Sequence, residues 1–455
     1  MSKKVIVIGG VAGGASAAAR LRRLEKQTEI IILEKGEYIS FANCGLPYYI
    51  GDVIKDIQNL LVETPTSMKE KKDIDVRIKH EVISIDRVNK KVLVKDLKQK
   101  ETYSESYDQL VIATGSSPIV PPIPGIELPN IFTLWNIPDT KYIKDYLRNN
   151  NVKKVAVIGG GFIGIEMAEN LKHLGLEVSI IEMAHQILGP LDVDVVEKLQ
   201  EHIKEQGIEL ILGDGVKEFK KCDDSIRIIT SDNKNINVDM VILSIGIKPN
   251  SQIAKESGIK VGKGGGIIVD QNLRTSDEYI YAAGDVIQIE DYVNKVPGMI
   301  PLAGPANKQG RIVANNIAGI EEEYTGTQGT SIVKVFNMNA ASTGTNEKTL
   351  KKLGKQKEID YNVITIDAMN HAGYYPNAQK IHIKIIFELP EGKILGAQIV
   401  GGEGVDKRID IIATAIRFGA KMSDLKELEL AYAPPFSSSK DPINILGYIS
   451  EKYIL

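Results

Sequence analysis

The sequence predicts an α/β protein: two dinucleotide-binding βαβ units, followed by a smaller α+β region at the C-terminal end. Two observations carry this. A strand, glycine loop, helix and second strand occur near the N-terminus and recur past residue 150. Residues 330–455 then alternate strand and helix patterns, with Ile381–Phe387 and Ile394–Val400 read as strands and Lys407–Phe418 as a helix.

The first unit opens on a strand, Lys3 to Ile8. The loop Gly9-Gly10-Val11-Ala12-Gly13-Gly14 follows, then a helix, a strand at Glu29–Leu33, and Glu34 with Lys35 behind it. The second repeats the order, with the loop Gly159-Gly160-Gly161-Phe162-Ile163-Gly164, a strand at Glu177–Ile181, and Glu182. Small residues let the loop backbone approach a diphosphate, and the helix N-terminus stabilises its charge. The acid accepts hydrogen bonds from a ribose diol; it lies 25 residues after the first glycine in one unit and 23 in the other. Gly159, Gly161 and Gly164 complete the GxGxxG pattern, whereas Val11 replaces its second glycine in the first loop. Taken alone, the first loop also admits the lesser reading of a plain parallel-sheet turn. Val111-Ile112-Ala113-Thr114-Gly115 reads as a strand ending in a tight turn, and Tyr279–Asp285 as a strand ending in an acid suited to ribityl hydroxyls.

Composition narrows the function classes. The 455 residues suggest roughly three domains. A net charge of −3 advertises neither nucleic acid nor a membrane surface. Two cysteines exclude a disulfide framework and a CxxC zinc site, and no metal is expected. Neither a secretory leader nor a membrane-spanning run is legible, so a cytoplasmic location is expected. One of the cysteines, Cys44, lies in Ser40-Phe41-Ala42-Asn43-Cys44-Gly45-Leu46-Pro47-Tyr48-Tyr49. It has no neighbouring thiol, so its redox partner must come from outside. Pro47 suits the first turn of a helix, which would set Cys44 near a positive helix end and favour thiolate. Cys222, among charges, reads as an incidental surface residue.

The two units and the strands around Val111 and Tyr279 resemble the two-dinucleotide-binding flavoprotein superfamily. The resemblance implies FAD in the first unit, NAD(P)H in the second, and a C-terminal dimer-interface domain. The expected division is 1–117 with 246–325 for FAD, 118–245 for NAD(P)H, and 330–455 for dimerisation. Within that superfamily, three segments resemble coenzyme A-disulfide reductases: the Cys44 motif, Gly9–Ser16, and Ala431-Tyr432-Ala433-Pro434-Pro435-Phe436-Ser437-Ser438-Ser439-Lys440-Asp441. That family shares the Val11 departure. Some members carry a C-terminal rhodanese domain, and none is expected in these residues.

The resemblance implies site residues. Cofactor contacts are expected from the two loops with Glu34, Lys35 and Glu182, and from Val82, Ala113, Thr114, Gly115, Gly246, Asp285 and Ala303. Coenzyme A contacts are expected from Ser16, Arg20, Arg23, Ser40, Asn43 and Lys440, with Lys72 preferred over Lys71 as a further cation. Ser16, Arg20 and Arg23 share a helix face by their spacing, although a basic face is often only solubilising. Cys44 is the implied catalytic thiol, held as a mixed disulfide with coenzyme A. Tyr375 and Tyr432 are the implied proton donors, reaching in from the partner of a homodimer.

Glu182, with no arginine close behind it, favours NADH, and NADPH stays open. Rival readings are a coenzyme A persulfide or polysulfide reductase, an NADH oxidase or peroxidase, and a flavin electron-transfer protein with a protein partner. The oxidases carry a histidine in the first glycine loop, absent here.

Overall fold

The structure, a computed structural model, describes residues 3–454. Its first sheet is wholly parallel, ordered Ile280–Ala282, Gln109–Ile112, Lys4–Ile8, Glu29–Glu34, Asp75–Ile78. Runs such as Val5-Ile6-Val7 and Ile30-Ile31-Ile32 are buried along their whole length, which is why they read as continuous rather than alternating apolar stretches. The strand expected from Val111 begins two residues earlier and spans Gln109–Ile112. The chain leaves the sheet at Ala113 to reach Gly115, whose φ of +64° ends strand geometry.

The second parallel sheet is ordered Glu209–Leu212, Glu177–Glu182, Lys154–Ile158, Met240–Leu243, Ile131–Thr133. The third is antiparallel, ordered Ser331–Val335, Met338–Gly344, Ile394–Gly401, Lys380–Glu388, Tyr361–Met369. Its strands extend those expected by a residue or so, and the helix expected at Lys407–Phe418 spans Val405–Arg417.

Buried contacts join these sheets. The segment after Cys44 buries Leu46, Ile50 and Leu60 in the same core as Val157 and Leu171 of the second unit and Val335 and Val400 of the third sheet. Such side chains stabilise by roughly 1.5–3 kcal/mol each. Lys144 fastens the same segment, with its ammonium 3.7 Å from the Tyr49 ring centroid and 2.9 Å from an Asp52 oxygen. The second and third sheets meet over a buried ion cluster. Lys384, 1% exposed, lies 3.1 Å from Asp192, 2.8 Å from Asp194 and 2.7 Å from Glu347.

Candidate active site

The two glycine loops fold alike. Gly9 and Gly159 have φ of +98° and +107°, and a Cβ on either would strike a main-chain oxygen, of Ala113 or Ser244. A Cβ on Gly14 or Gly164 would strike the carbonyl of Gly9 or Gly159. Glu34 accepts from the Gly10 amide at 2.9 Å and the Gly36 amide at 2.7 Å. Glu182 accepts from Gly160 at 2.7 Å and Ala184 at 2.8 Å. The acids therefore brace their own loops, leaving their remaining lone pairs to a ribose. The Val11 departure also has a physical reason. A Cβ at the equivalent Gly161 would meet nothing within 4 Å, so the fold itself does not require glycine there.

Helix starts differ in capping, and the uncapped ones, Val193–Glu205 and Val405–Arg417 as well as the helices of the glycine loops, offer orphan amides. The helices Pro65–Lys72, Ile137–Asn149 and Glu347–Lys352 are capped by the side chains of Thr64, Asn136 and Asn346. Those starting at Ala12, Phe162 and Ala303 have no side-chain cap. Their orphan amides suit diphosphate or carbonyl oxygens from a cofactor. Phe162 and Ile163 are the first residues of the second of these helices and pack on the second core. Ala303 is exposed at the start of the third.

Asp285 is half-buried, accepts from the Ser116 hydroxyl at 2.9 Å, and has its carboxyl pushed up by desolvation. The Thr114 hydroxyl donates to the Asn250 carbonyl at 2.8 Å. Gly246, with φ of +116°, is exposed, as is Lys35. Val82 commits its side chain to the first core, which leaves only its main chain for a cofactor.

Cys44 sits in a tight turn, Asn43–Gly45, ahead of the helix Leu46–Ile50, with Pro47 in the first turn as expected. Its side chain is exposed, yet protein surrounds it closely enough that desolvation, then Glu166 and Asp285, push the thiol up. Within the chain, the helix end expected to favour thiolate is thus outweighed. A five-residue helix offers little dipole, and two carboxyl groups oppose it. Among the described residues no second cysteine is near; Cys222 ends a hairpin strand of a different sheet.

Sequence reasoning missed Tyr48 and Glu166. The Tyr48 hydroxyl donates to Glu166 at 3.1 Å. Burial, with help from Glu169, pushes the Glu166 carboxyl up to about 7 against the Tyr48 hydrogen bond. The available clue was positional: Glu166 follows Gly159 by the same seven residues that separate Ser16 from Gly9.

The expected phosphate face is partly committed. The Ser16 hydroxyl donates to Asn307 at 2.7 Å and Arg20 Nε to Asn315 at 2.9 Å. Arg22 turns inward to the carbonyls of Lys72, Thr28 and Asp73. Arg23 is exposed and in no ion pair among the described residues. Lys72, the expected further cation, is ion-paired to Glu63. Lys71 is the exposed one, with no ion pair among the described residues. Ser40 adopts φ of +43° while its amide donates to the Gly10 carbonyl at 2.8 Å, joining the thiol segment to the first loop. Asn43 donates to the Trp135 carbonyl at 3.3 Å, and Lys440 is exposed.

The tyrosines differ from expectation. Tyr432 lies with its hydroxyl 3.3 Å from that of Tyr374, not Tyr375. Tyr375 turns its ring edge-on to His371, with centroids 5.6 Å apart. The Tyr375 amide donates to the Ala372 carbonyl at 2.9 Å, so Tyr374 lies inside a tight turn that Tyr375 closes, and the two side chains leave it in different directions. No helix among the described residues is long and apolar enough to cross a membrane.

Comparison with known proteins agrees with this architecture. The family model described as pyridine nucleotide-disulphide oxidoreductase matches residues 3–310, and that family's dimerisation domain matches residues 330–441. A coenzyme A disulfide reductase from Staphylococcus epidermidis is 36% identical over 446 residues, 98% of this chain and 99% of that protein. The crystal structure of reduced CoADR-RHD from Bacillus anthracis superposes with a TM-score of 0.97 at 48% identity, covering 100% of this chain and 81% of that one. An NAD-dependent persulfide reductase from A. fulgidus superposes with a TM-score of 0.95 at 38% identity, covering 99% of this chain and 83% of that one. The chain belongs to the pyridine nucleotide-disulphide oxidoreductase family.

Proposed function

We propose that this protein reduces coenzyme A disulfide to two coenzyme A thiols with electrons from NAD(P)H, through a mixed disulfide on Cys44. The observation that carries the reading is one exposed thiol without a cysteine partner, set between two glycine loops of the same geometry. Whole-length similarity to coenzyme A disulfide reductases supports the substrate. The first loop, with Glu34 and Asp285, would hold FAD, which would supply the relay for the electron pair of NAD(P)H to sulfur. Glu182, already holding its loop, favours NADH by crowding a 2′-phosphate with negative charge.

The Cys44 thiolate attacks one sulfur of the substrate. The substrate S–S bond breaks, a Cys44–S-CoA bond forms, and one coenzyme A thiolate leaves. Two electrons then break the mixed disulfide, returning the Cys44 thiolate and releasing the second coenzyme A. One hydride and one solvent proton supply both thiol protons. Tyr432 with Tyr374 is suited to protonate a departing thiolate, each from the partner of a homodimer. Arg23, Lys71 and Lys440 are suited to the phosphates. The domain division that fits this chemistry is 1–117 with 246–325 for FAD, 118–245 for NAD(P)H, and 330–455 for dimerisation.

A second reading, reduction of a coenzyme A persulfide, is favoured by the likeness to the A. fulgidus persulfide reductase, and it uses the same thiol. Steady-state kinetics with coenzyme A disulfide, coenzyme A persulfide, peroxide and oxygen side by side test both. The disulfide should have the highest kcat/KM. A faster persulfide reaction installs the second reading, and dominant peroxide or oxygen turnover removes both. Mass spectrometry of freshly purified protein should find a reducible adduct of coenzyme A mass on Cys44.

A further inference from the structure

Tyr374 and Tyr432 lie on two exposed loops 58 residues apart in sequence, at 78% and 50% exposure, yet their hydroxyls meet. Something beneath them has to fix both. The first loop leaves the third sheet at Asn370; the second ends at Asp441, where the last helix begins. Arg408, in the helix Val405–Arg417, is fully buried between these two points. Its Nη2 donates to the Asn370 carbonyl at 2.8 Å and to the Asp441 carboxylate at 2.9 Å; its Nη1 donates to the Gly404 carbonyl at 3.0 Å. Asp441, itself buried, also accepts from the Ser437 hydroxyl at 2.6 Å and the Ile443 amide at 3.0 Å. Above this anchor the loops touch through one main-chain bond, from the Ala372 amide to the Pro434 carbonyl at 3.2 Å.

A buried ion pair is a poor way to gain stability, because desolvation offsets its attraction and an apolar core would serve as well. Arg408 even leaves its Nε without a partner among the described residues. What apolar packing cannot do is fix two loops by their polar atoms at one point. A guanidinium can, since its planar fork directs several donors from one rigid group; a lysine ammonium cannot reproduce that geometry.

We propose that Arg408, through Asn370 and Asp441, is a positioning residue that holds the two tyrosine loops in register for the sulfur chemistry. It touches neither substrate nor cofactor. The proposal rests on the reading that Tyr374 and Tyr432 meet the departing coenzyme A. A misplacement of even 1 Å in such a pair is enough to slow the step about a hundredfold.

The test uses the FAD-loaded dimer and follows the two half-reactions separately by stopped-flow absorbance. Arg408→Met should leave reduction by NADH at the wild-type rate and slow reoxidation by coenzyme A disulfide at least about tenfold, mainly in kcat. Arg408→Lys should recover only part of the loss. In a Tyr374→Phe/Tyr432→Phe background, Arg408→Met should slow reoxidation no further, because it acts through those residues. Asp441→Asn keeps the shape while weakening the anchor, and gives the same split if the Arg408 variants do not fold. Equal loss in both half-reactions, or wild-type reoxidation in a folded variant, overturns the proposal. If instead Tyr374→Phe/Tyr432→Phe reoxidises at the wild-type rate, it is the tyrosine reading that fails.

Discussion

The two glycine-loop units are nearly the same object twice, and they differ in what their helices carry. With Gly9 and Gly159 aligned, Ser16, Arg20 and Arg23 of one helix stand opposite Glu166, Asn170 and His173 of the other. The first helix places an arginine in solvent; the second places a carboxyl beside Tyr48 and close enough to raise the Cys44 thiol. The main chain of the motif sets a diphosphate cradle and nothing more. The side chains one and two turns along differ, and with them the tasks proposed for the two helices: a phosphate-bearing substrate beside the first, and a raised carboxyl beside Tyr48 on the second.

The largest expected effect separates the two units outright. Cys44→Ser should reduce coenzyme A disulfide turnover by about three orders of magnitude or more, as loss of a nucleophile does. Reduction by NADH, proposed to bind at the second unit, should persist in stopped-flow traces. Retained disulfide turnover would return the protein to the electron-transfer reading.

Next is the one position where the loops differ in residue but not in space. Gly161→Val copies Val11 into the second loop. Because a Cβ there meets nothing, stability should stay within about 0.5 kcal/mol. The second loop, unlike the first, keeps the glycine that lets the NADH diphosphate approach closely, so KM for NADH should rise about tenfold or more. An unchanged KM would mean that the second loop tolerates a side chain there as the first loop does with Val11.

A smaller effect concerns Glu166. Its folded carboxyl titrates near 7 against an ordinary 4.5, so the native state binds the extra proton between those values. Its contribution to stability is complete below about 4.5 and lost as pH rises through about 7. The melting temperature of the wild type should fall relative to Glu166→Gln over that window in calorimetry; a rise would reverse the assignment.

The smallest effects test the basic face. Lys71→Ala and Arg23→Ala should each raise KM for coenzyme A disulfide a few-fold at low salt, less at high salt, in line with about 1 kcal/mol for an exposed charge pair. Lys72→Ala should change KM less, since Glu63 holds that ammonium, and a larger effect than at Lys71 would restore Lys72 as the substrate contact.

Much of this was legible in sequence because it is local. The strands Lys4–Ile8 and Lys154–Ile158 declare themselves as apolar runs, the loops by glycines whose Cβ atoms would collide, and Cys44 by the motif around it. What was not legible depends on pairs far apart in the chain. Tyr374 and Tyr375 are indistinguishable in sequence, and only the approach of Tyr432 separates them. Lys71 and Lys72 are likewise adjacent, and the reach of Glu63 decides which is committed. The tilt toward thiolate at Cys44 was inferred from one helix end, whereas Glu166 and Asp285 come from 122 and 241 residues away in the chain.

The sequence by itself determined the α/β class, the two glycine-loop cradles and a cysteine with no neighbouring thiol, since each follows from rules acting over a few residues. Tertiary structure alone decided which charges face the thiol, which tyrosine meets Tyr432 and what anchors their loops. Those outcomes hang on distances of about 3 Å between segments that only the burial of the three cores brings together.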